Sequence, residues 1–224
     1  MVDVGAGTGV LTRALVEAGA EVLALEADPR LAAELRRRFA PRQVTVVEAD
    51  ARRWAWPPEP FMVVANLPFA GSGEILSSLL RDPRGGLSSA DVIVQWELAA
   101  KQATVWPATM RATYWRAWFD IAIVARLARS AFSPPPSVDA AVLRFARRAR
   151  PLVPREQHEH YRRLLADAFG AKAPLQRALR KRLTPRELRR LASLLGFDPR
   201  SHARDLDPRQ WAAVFSHIHA RRRA

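Results

Sequence analysis

Short apolar runs alternate with helical patterns over the first two thirds of the chain. Between the first two runs, Leu11, Ala14, Leu15 and Ala18 recur at the spacing of one helix face. Strands that alternate with helices predict a parallel sheet with right-handed crossovers, whose ligands collect at the carboxyl ends of the strands. The predicted strands cover residues 1–4, 21–26, 44–51, 61–65, 91–95, 120–127 and 139–145.

Further helices are predicted between these strands. Asp28, followed by a proline, is typical of a helix N-cap, and residues 72–80 continue in a helical pattern. A helical passage containing Trp96, Lys101 and Trp106 is expected after the fifth strand. The first part of the chain therefore has the pattern of an α/β domain.

The last third of the chain is predicted to be all helical, with three or four short helices. Thr184 and Asp207 each stand before a proline and three residues ahead of Glu or Gln, which is the pattern of a capping box. Upstream of this region, Tyr114, Trp115 and Trp118 are expected to pack in a core rather than to form a stacking platform for bases. A domain boundary is expected near residue 148, giving domains 1–148 and 149–224.

Composition narrows the class of protein. The chain has 224 residues, of which 49% are hydrophobic, so it can form one large and one small folded domain. It contains no cysteine, which excludes disulfides and thiolate metal sites. His158 and His160, like His217 and His219, are two residues apart, so they are not expected to form a metal pair on one helix face. No signal peptide and no membrane-spanning apolar run is present, and a cytoplasmic location is expected.

The net charge of +14 is concentrated in the last third of the chain. Residues 1–146 carry 16 basic and 15 acidic side chains, whereas residues 147–224 carry 20 and 7. This asymmetry favours a catalytic domain joined to a domain that binds a polyanion. The alternative is that these basic residues form a solvent-exposed face without a ligand and that arginine is frequent throughout the proteome.

A glycine-rich turn follows the first strand. The dinucleotide fingerprint requires a glycine where this chain has Val10, and the pattern is instead Asp3-x-Gly5-x-Gly7-x-Gly9. This pattern resembles motif I of the S-adenosylmethionine-dependent methyltransferases. The alternative is a sharp strand-to-helix turn without a ligand.

Two acidic residues end the next strands on the same predicted edge. Glu26 ends the second strand about 20 residues after the glycine turn, where Rossmann-like units place a carboxylate on ribose hydroxyls. Asp50 ends the third strand. The methyltransferase resemblance implies that Asp3, Gly5 and Gly7 line the methionine side of the cofactor.

Asn66-Leu67-Pro68-Phe69 directly follows the fourth strand and resembles motif IV of adenine-N6 methyltransferases. An exocyclic amine is a poor nucleophile because its lone pair is delocalised into the ring. The Asn66 side-chain oxygen and a backbone carbonyl near Leu67 can accept both amine hydrogens, which frees the lone pair for attack on a methyl group. Pro68 would hold the turn rigid, and Phe69 would stack on the base.

Phe132-Ser133-Pro134-Pro135-Pro136-Ser137-Val138 resembles motif VIII of one family, the ribosomal RNA adenine dimethyltransferases. Gln95-x-Glu97 resembles the glutamine-glutamate segment of the same family. The resemblance implies a Rossmann-like seven-stranded methyltransferase domain followed by a small all-helical domain. It also implies that Phe132 packs on the extruded adenine opposite Phe69, that Asp50 and the Ala51 amide read the cofactor adenine, and that Asn66 contacts the cofactor as well as the base.

Within this family the chain resembles the erythromycin-resistance branch. The marks are Phe69 in place of tyrosine and the ending Leu206-Asp207-x-x-Gln210-Trp211. The resemblance implies N6-methylation of a large-subunit rRNA adenine that blocks macrolides, lincosamides and streptogramin B. This chemistry needs no metal, and a monomeric protein is expected. The alternatives are a small-subunit rRNA adenine dimethyltransferase and a non-catalytic RNA-binding relative.

Family members carry a segment before the first strand, with a Gln-x-Phe-Leu-like motif that helps to enclose the cofactor. Met1 of this chain already lies within the predicted strand. Three explanations are open: a start codon assigned too late, a fragment, or an incomplete cofactor site.

Overall fold

A seven-stranded mixed sheet forms the first part of the chain. The computed structural model describes residues 1–220, and the strand order within them is β3-β2-β1-β4-β5-β7-β6. The strands are β1 (Val2–Val4), β2 (Val22–Glu26), β3 (Val44–Glu48), β4 (Phe61–Asn66), β5 (Leu87–Gln95), β6 (Phe119–Leu127) and β7 (Ala140–Arg147). The helices are α1 (Val10–Glu17), α2 (Pro29–Arg38), α3 (Ser72–Leu79), α4 (Trp96–Ala103), α5 (Met110–Trp115), α6 (His158–Gly170), α7 (Leu175–Ala178), α8 (Pro185–Leu195) and α9 (Pro208–Ala220).

Parallel pairing joins the first five strands, as the sequence pattern predicts. Strand β1 pairs in parallel with both β2 and β4, and β3 and β5 extend the sheet on either side. Strand β7 departs from the parallel pattern, because it is antiparallel to β5. Strands β6 and β7 are consecutive along the chain, and their connection, residues 128–139, contains a 3₁₀ turn at Arg129–Ala131 in place of the α-helix that usually forms a parallel crossover.

The strands next to the sheet centre are apolar and buried. Val2 and Val4 of β1, and Val92 and Val94 of β5, are each at most 3% exposed. Strands covered on both faces are expected to be buried at successive positions, and all three residues of β1 are buried, including Asp3 between the two valines. This rigid centre places the carboxyl ends of β1, β2 and β4 at one edge of the sheet.

The chain divides into two compact units. The first comprises residues 1–103 and 120–147, and the second comprises residues 104–119 together with the region from residue 148 onward. The boundary expected from sequence would have placed residues 104–119 in the first domain. They belong to the second unit because α5 packs against α6 and α9.

The aromatic cluster of the second unit is a packing core, which confirms the sequence prediction. Tyr114 and Trp118 form an edge-on pair with ring centroids 4.9 Å apart, and Tyr161 of α6 lies 5.9 Å from Trp118. All three side chains are at most 5% exposed. The indole nitrogen of Trp118 donates a hydrogen bond to the Val153 carbonyl at 2.8 Å, so the polar atom of the ring is satisfied.

The predicted helix starts of the second unit are confirmed. The Thr184 side chain and backbone exchange hydrogen bonds with Glu187, and Asp207 and Gln210 do the same at 2.8 Å in both directions. The passage predicted to be helical through Trp106 ends earlier, at Ala103. A residue that precedes proline is disfavoured in helical conformation, and Trp106 stands directly before one. Among residues 1–220, no helix is both long and apolar enough to cross a bilayer.

Replacing Gly9 by alanine is expected to lower the free energy of unfolding by about 2 kcal/mol. Gly9 has a φ of +81°, and an added Cβ would stand 2.7 Å from Phe39 Cε2 and 2.8 Å from Leu35 Cδ2. Gly19→Ala is the matched control, because Gly19 has a φ of +83° but no atom within 4 Å of the added Cβ. Urea unfolding of both variants separates backbone strain from steric clash, and an equal loss in the two would contradict the predicted clash.

Candidate active site

The glycine turn between β1 and α1 adopts a left-handed backbone. Gly5 and Gly7 have φ values of +68° and +55°. The Gly5 amide donates to the Leu25 carbonyl at 2.8 Å, which ties the turn to the end of β2. Because L side chains rarely adopt these φ values, glycine lets the chain turn sharply and leaves backbone open to a ligand.

The Glu26 carboxylate is held by two backbone amides. Its Oε2 accepts from the Gly7 N–H at 2.8 Å, and its Oε1 accepts from the Asp28 N–H at 2.9 Å. Glu26 is 8% exposed, so the orientation of its side chain is defined by these bonds. Each carboxylate oxygen has a second acceptor site that can take a hydroxyl hydrogen.

A cavity of about 250 Å³ lies over this edge of the sheet. It brings together five residues that the sequence selected, namely Gly5, Glu26, Asp50, Ala51 and Pro68. The lining that sequence reasoning missed consists of Val4, Leu25, Ala27, Ala49, Arg52, Ala70, Gly71 and Ile75. Ala27 and Ala49 directly follow strand ends, and Val4 and Leu25 are among the last two residues of their strands, so position at a strand end is the signal that could have identified these four.

Asp50 lies two residues beyond the end of β3, rather than at the end of the strand as expected. Hydrogen bonds from the Arg52 guanidinium and backbone lower the pKa of Asp50 to about 2. The closest contact joins Arg52 Nη2 to Asp50 Oδ2 at 2.7 Å. Asp50 is therefore an ionised acceptor at the cavity wall throughout the neutral range.

Asp3 does not line this cavity. Its carboxylate is 1% exposed and accepts a hydrogen bond from the Thr12 hydroxyl at 2.6 Å. Burial raises the pKa of Asp3 to about 6, against the opposing effect of the Thr12 hydrogen bonds. Asp3 therefore links β1 to α1 through Thr12, and this link holds the two ends of the glycine turn together.

Asp3→Asn is expected to flatten the pH dependence of stability. The folded-state pKa of about 6 lies above the ordinary value of 3.8, so the contribution of Asp3 is fully present below about pH 4 and is lost as pH rises through about 6. Between about pH 4.5 and 8 the wild type should lose about 2 kcal/mol more than the variant. The Asn amide keeps an acceptor for Thr12 and cannot ionise. Urea midpoints across this range measure the difference, and parallel curves would contradict the assignment.

The segment that follows β4 lies beside the glycine turn. Leu67 is 1% exposed, and its amide donates to the Ile93 carbonyl at 3.1 Å. A Cβ built on Gly5 would lie 3.8 Å from Pro68 Cδ, so the two segments face each other closely. Asn66 is exposed, and Phe69 is half-buried. Leu67 thus anchors a turn whose Pro68 lines the cavity, whereas Asn66, Leu67 and Phe69 are not part of that lining.

Phe132 follows a short 3₁₀ turn in the connection between β6 and β7. Its amide donates to the Arg129 carbonyl at 3.2 Å, and its side chain is half-buried. Phe132 does not line the cavity that holds Glu26 and Asp50. Its pairing with Phe69 across a base therefore stays a prediction.

A second cavity, of about 310 Å³, is lined by two segments that lie far apart in the sequence. Gln95 and Glu97 line it together with Ser137 and Val138 of the proline-rich segment. Trp96, which also lines it, lies under the Arg126 guanidinium at 4.5 Å from the ring centroid. Sequence reasoning missed this cation–π pair because its partners lie on different elements.

The lining of the first cavity fits the adenosine portion of S-adenosylmethionine. Ribose hydroxyls and an adenine amine are hydrogen-bond donors, and Glu26 and Asp50 supply acceptors at two neighbouring strand ends. Ile75, Ala51 and Pro68 supply an apolar wall for a ring. Among residues 1–220, no group of three or more His, Cys, Asp or Glu side chains has the arrangement of a metal site.

Comparison with known proteins agrees with this geometry. The sequence profile of the family described as ribosomal RNA adenine dimethylase matches residues 1–220. The mycinamicin-resistance protein MyrB of Micromonospora griseorubida is 36% identical over 216 residues, which cover 96% of this chain and 68% of MyrB. A ribosomal RNA small subunit methyltransferase A from a Synechococcus species is 32% identical over 222 residues, which cover 96% of this chain and 78% of that protein.

A solved structure has the same architecture. The crystal structure of the 23S rRNA methyltransferase ErmE superposes with a TM-score of 0.81 at 28% identity, over 97% of this chain and 90% of that chain. The Rossmann-like fold and the helical C-terminal region expected from sequence are thereby confirmed. The chain belongs to the ribosomal RNA adenine dimethylase family, whose members are S-adenosylmethionine-dependent rRNA adenine N6-methyltransferases.

Proposed function

We propose that this protein methylates N6 of an adenine in large-subunit rRNA and thereby confers resistance to macrolides, lincosamides and streptogramin B. The observation that carries the proposal is the position of the Asn66–Phe69 turn, whose Pro68 lies beside Gly5 in the lining of the cavity that Glu26 also lines. The likeness to MyrB and ErmE supports the choice of rRNA and of the resistance branch.

The target base is held by the turn after β4. Asn66 Oδ1 and the Leu67 backbone carbonyl accept the two amine hydrogens, so the nitrogen lone pair points away from the ring plane. Phe69 and Phe132 stack on the extruded adenine, whose removal from its stack costs a few kcal/mol. Pro68 limits the motion of the turn, and Ser72 Oγ donates to the Phe69 carbonyl at 3.3 Å on its far side.

The cofactor is held by the glycine turn and two carboxylates. Bound S-adenosylmethionine supplies an electrophilic methyl group on its sulfonium. Glu26 accepts hydrogen bonds from the ribose hydroxyls, while Asp50 and the Ala51 amide hold the adenine. Gly5 and Gly7 lie along the methionine side, and Asp3 holds that turn in position. Asn66 lies two residues before Pro68, which lines the cavity, and we propose that it contacts both cofactor and base.

The helical region is the RNA-binding part of the protein. The proposed domains are residues 1–148, which carry out methyl transfer, and residues 149–224, which bind RNA; residues 104–119 fold with the second of these units. The arginine excess of the last third supports binding to phosphates, which weakens steeply with salt. We propose that the protein acts as a monomer in the cytoplasm.

The decisive experiment maps incorporated methyl groups. Purified protein is incubated with ribosomal subunits, or with naked rRNA of each subunit, and labelled S-adenosylmethionine. Label in a single large-subunit adenine, accompanied by raised macrolide resistance in a susceptible host, supports the proposal. Label confined to small-subunit rRNA contradicts it.

A small-subunit rRNA adenine dimethyltransferase is the second candidate. The Synechococcus relative, similar over 96% of this chain, favours it. The same mapping separates the two functions, because the label then enters small-subunit rRNA. Calorimetry with S-adenosylmethionine tests the non-catalytic alternative: a folded chain that binds RNA but takes up no cofactor would be an RNA-binding relative.

A further inference from the structure

A polar pocket in the second unit has the composition of an anion site. It has a volume of about 240 Å³ and lies among α6, α9 and the segment before α8. Four basic or titratable side chains line it, namely His160, Arg163, Arg182 and His219. None of the described residues that line it is acidic. The wall is completed by Leu164, Phe215 and Ile218.

The pocket is built on a packed floor. Leu164, Phe215 and Ile218 are at most 7% exposed, so the surface beneath the basic groups is fixed by the core. The His219 ring stacks on Phe215 with centroids 5.4 Å apart and lies 5.7 Å from the His160 ring. The imidazoles therefore converge on one space from two different helices.

Arg182 lines this space and is held by a partner outside it. Its guanidinium hydrogen-bonds Asp167, which does not line the pocket, and its side chain is 23% exposed. Arg163 lies one turn of α6 before Asp167 and is exposed. A guanidinium presents several N–H donors in a plane, which suits the oxygens of a phosphate.

A metal ion does not fit this arrangement. Two imidazoles alone can ligate a cation, but two guanidinium groups in the same lining repel it. An anion is attracted by the arginines and accepts hydrogen bonds from both imidazoles. Phosphate is the anion that the surrounding basic region favours, because residues 147–224 carry 20 basic and 7 acidic side chains.

We infer that the pocket formed by His160, Arg163, Arg182 and His219 binds a phosphate group of the RNA substrate. This inference rests on the proposed function and assigns one backbone contact to a particular place in the helical region. The site positions the RNA and makes no contact with the reacting atoms, so it contributes to RNA affinity and to KM rather than to kcat.

Arg163→Gln tests the inference, with Arg162→Gln as its matched control. The two arginines are adjacent on α6, but Arg162 pairs with Glu159 at 2.9 Å and does not line the pocket. Arg163→Gln is expected to weaken binding of the rRNA fragment about tenfold and to lower the salt slope by about 1. Arg162→Gln should change affinity less than about twofold, since an exposed ion pair contributes little. Fluorescence anisotropy at several salt concentrations measures both quantities.

His160→Gln provides a second variant, and inorganic phosphate provides a second probe. Phosphate added to the wild-type chain should shift the NMR signals of both pocket histidines, and the shift should weaken in Arg163→Gln. The histidine signals could respond to phosphate while RNA affinity stays unchanged in both Arg163→Gln and His160→Gln. That result would assign the site to a free phosphate compound and overturn the inference. Equal RNA losses in Arg163→Gln and Arg162→Gln would overturn it as well.

Failure of this inference can be distinguished from failure of the proposed function. If wild type and Arg163→Gln methylate rRNA with the same KM, the pocket has no role in RNA binding and the methyltransferase proposal stands. If the wild type neither binds rRNA nor transfers methyl, the proposed function itself is wrong.

Discussion

Asn66→Ala is expected to lower kcat for methyl transfer by about 1,000-fold while RNA affinity stays within about twofold. The side chain is exposed at the end of β4, and its oxygen is the proposed acceptor for one amine hydrogen of the target adenine. Without that acceptor the lone pair stays delocalised into the ring, so the barrier to attack rises. Multiple-turnover transfer of labelled methyl at saturating substrate measures kcat, and filter binding measures RNA affinity.

Two further variants make this experiment specific. Asn66→Asp keeps acceptor oxygens at the same position and should retain more activity than Asn66→Ala. Met62→Ala is the matched control, because Met62 is 45% exposed near the other end of the same strand. Equal losses of transfer and RNA affinity in Asn66→Ala would mean that Asn66 holds RNA rather than activates the amine.

Glu26→Ala is expected to weaken S-adenosylmethionine binding by about 100-fold. The variant loses the proposed acceptor for the ribose hydroxyls. It also leaves the Gly7 and Asp28 amides without the carboxylate that accepts from both, at 2.8 and 2.9 Å. The glycine turn then loses its fixed position over the cavity. Isothermal calorimetry with S-adenosylmethionine measures the affinity.

Glu48→Gln is the control for this change. Glu48 lies opposite Glu26 in the β2–β3 register, but its carboxylate is 43% exposed and pairs with Arg36 at 3.6 Å. Its loss should leave cofactor affinity within about twofold. Glu26→Gln keeps one acceptor oxygen and disturbs the fold less than Glu26→Ala, so it provides a second test of the ribose contact. Unchanged binding in both Glu26 variants would show that the ribose is held elsewhere.

Local pattern was sufficient to predict the elements that form the cofactor edge. The alternation of apolar runs and helical faces placed Glu26 and Asn66 at the ends of β2 and β4, where the structure has them. The glycines of the turn were identifiable because the left-handed backbone excludes most other residues. These features depend on neighbours within a few residues, so they can be read from the chain alone.

Features that join distant segments were missed or misplaced. The hydrogen bond that holds the buried Asp3 carboxylate to Thr12 was not anticipated, and the place of Asp3 on the cofactor's methionine side stays a prediction. The antiparallel β7 was not anticipated, nor was the union of residues 104–119 with the helical unit. The basic pocket around Arg163 and His219 requires two helices far apart in the chain.

The sequence by itself determined the α/β pattern, the glycine turn, the Asn66–Phe69 segment and the basic last third. Only the tertiary structure decided that Pro68 lies beside Gly5 and that Glu26 bridges the amides of Gly7 and Asp28. The physical reason is the distance along the chain over which each effect acts. Periodicity and backbone preference act between neighbours, whereas burial, hydrogen-bond pairing and pKa depend on which distant side chains the packed core brings together.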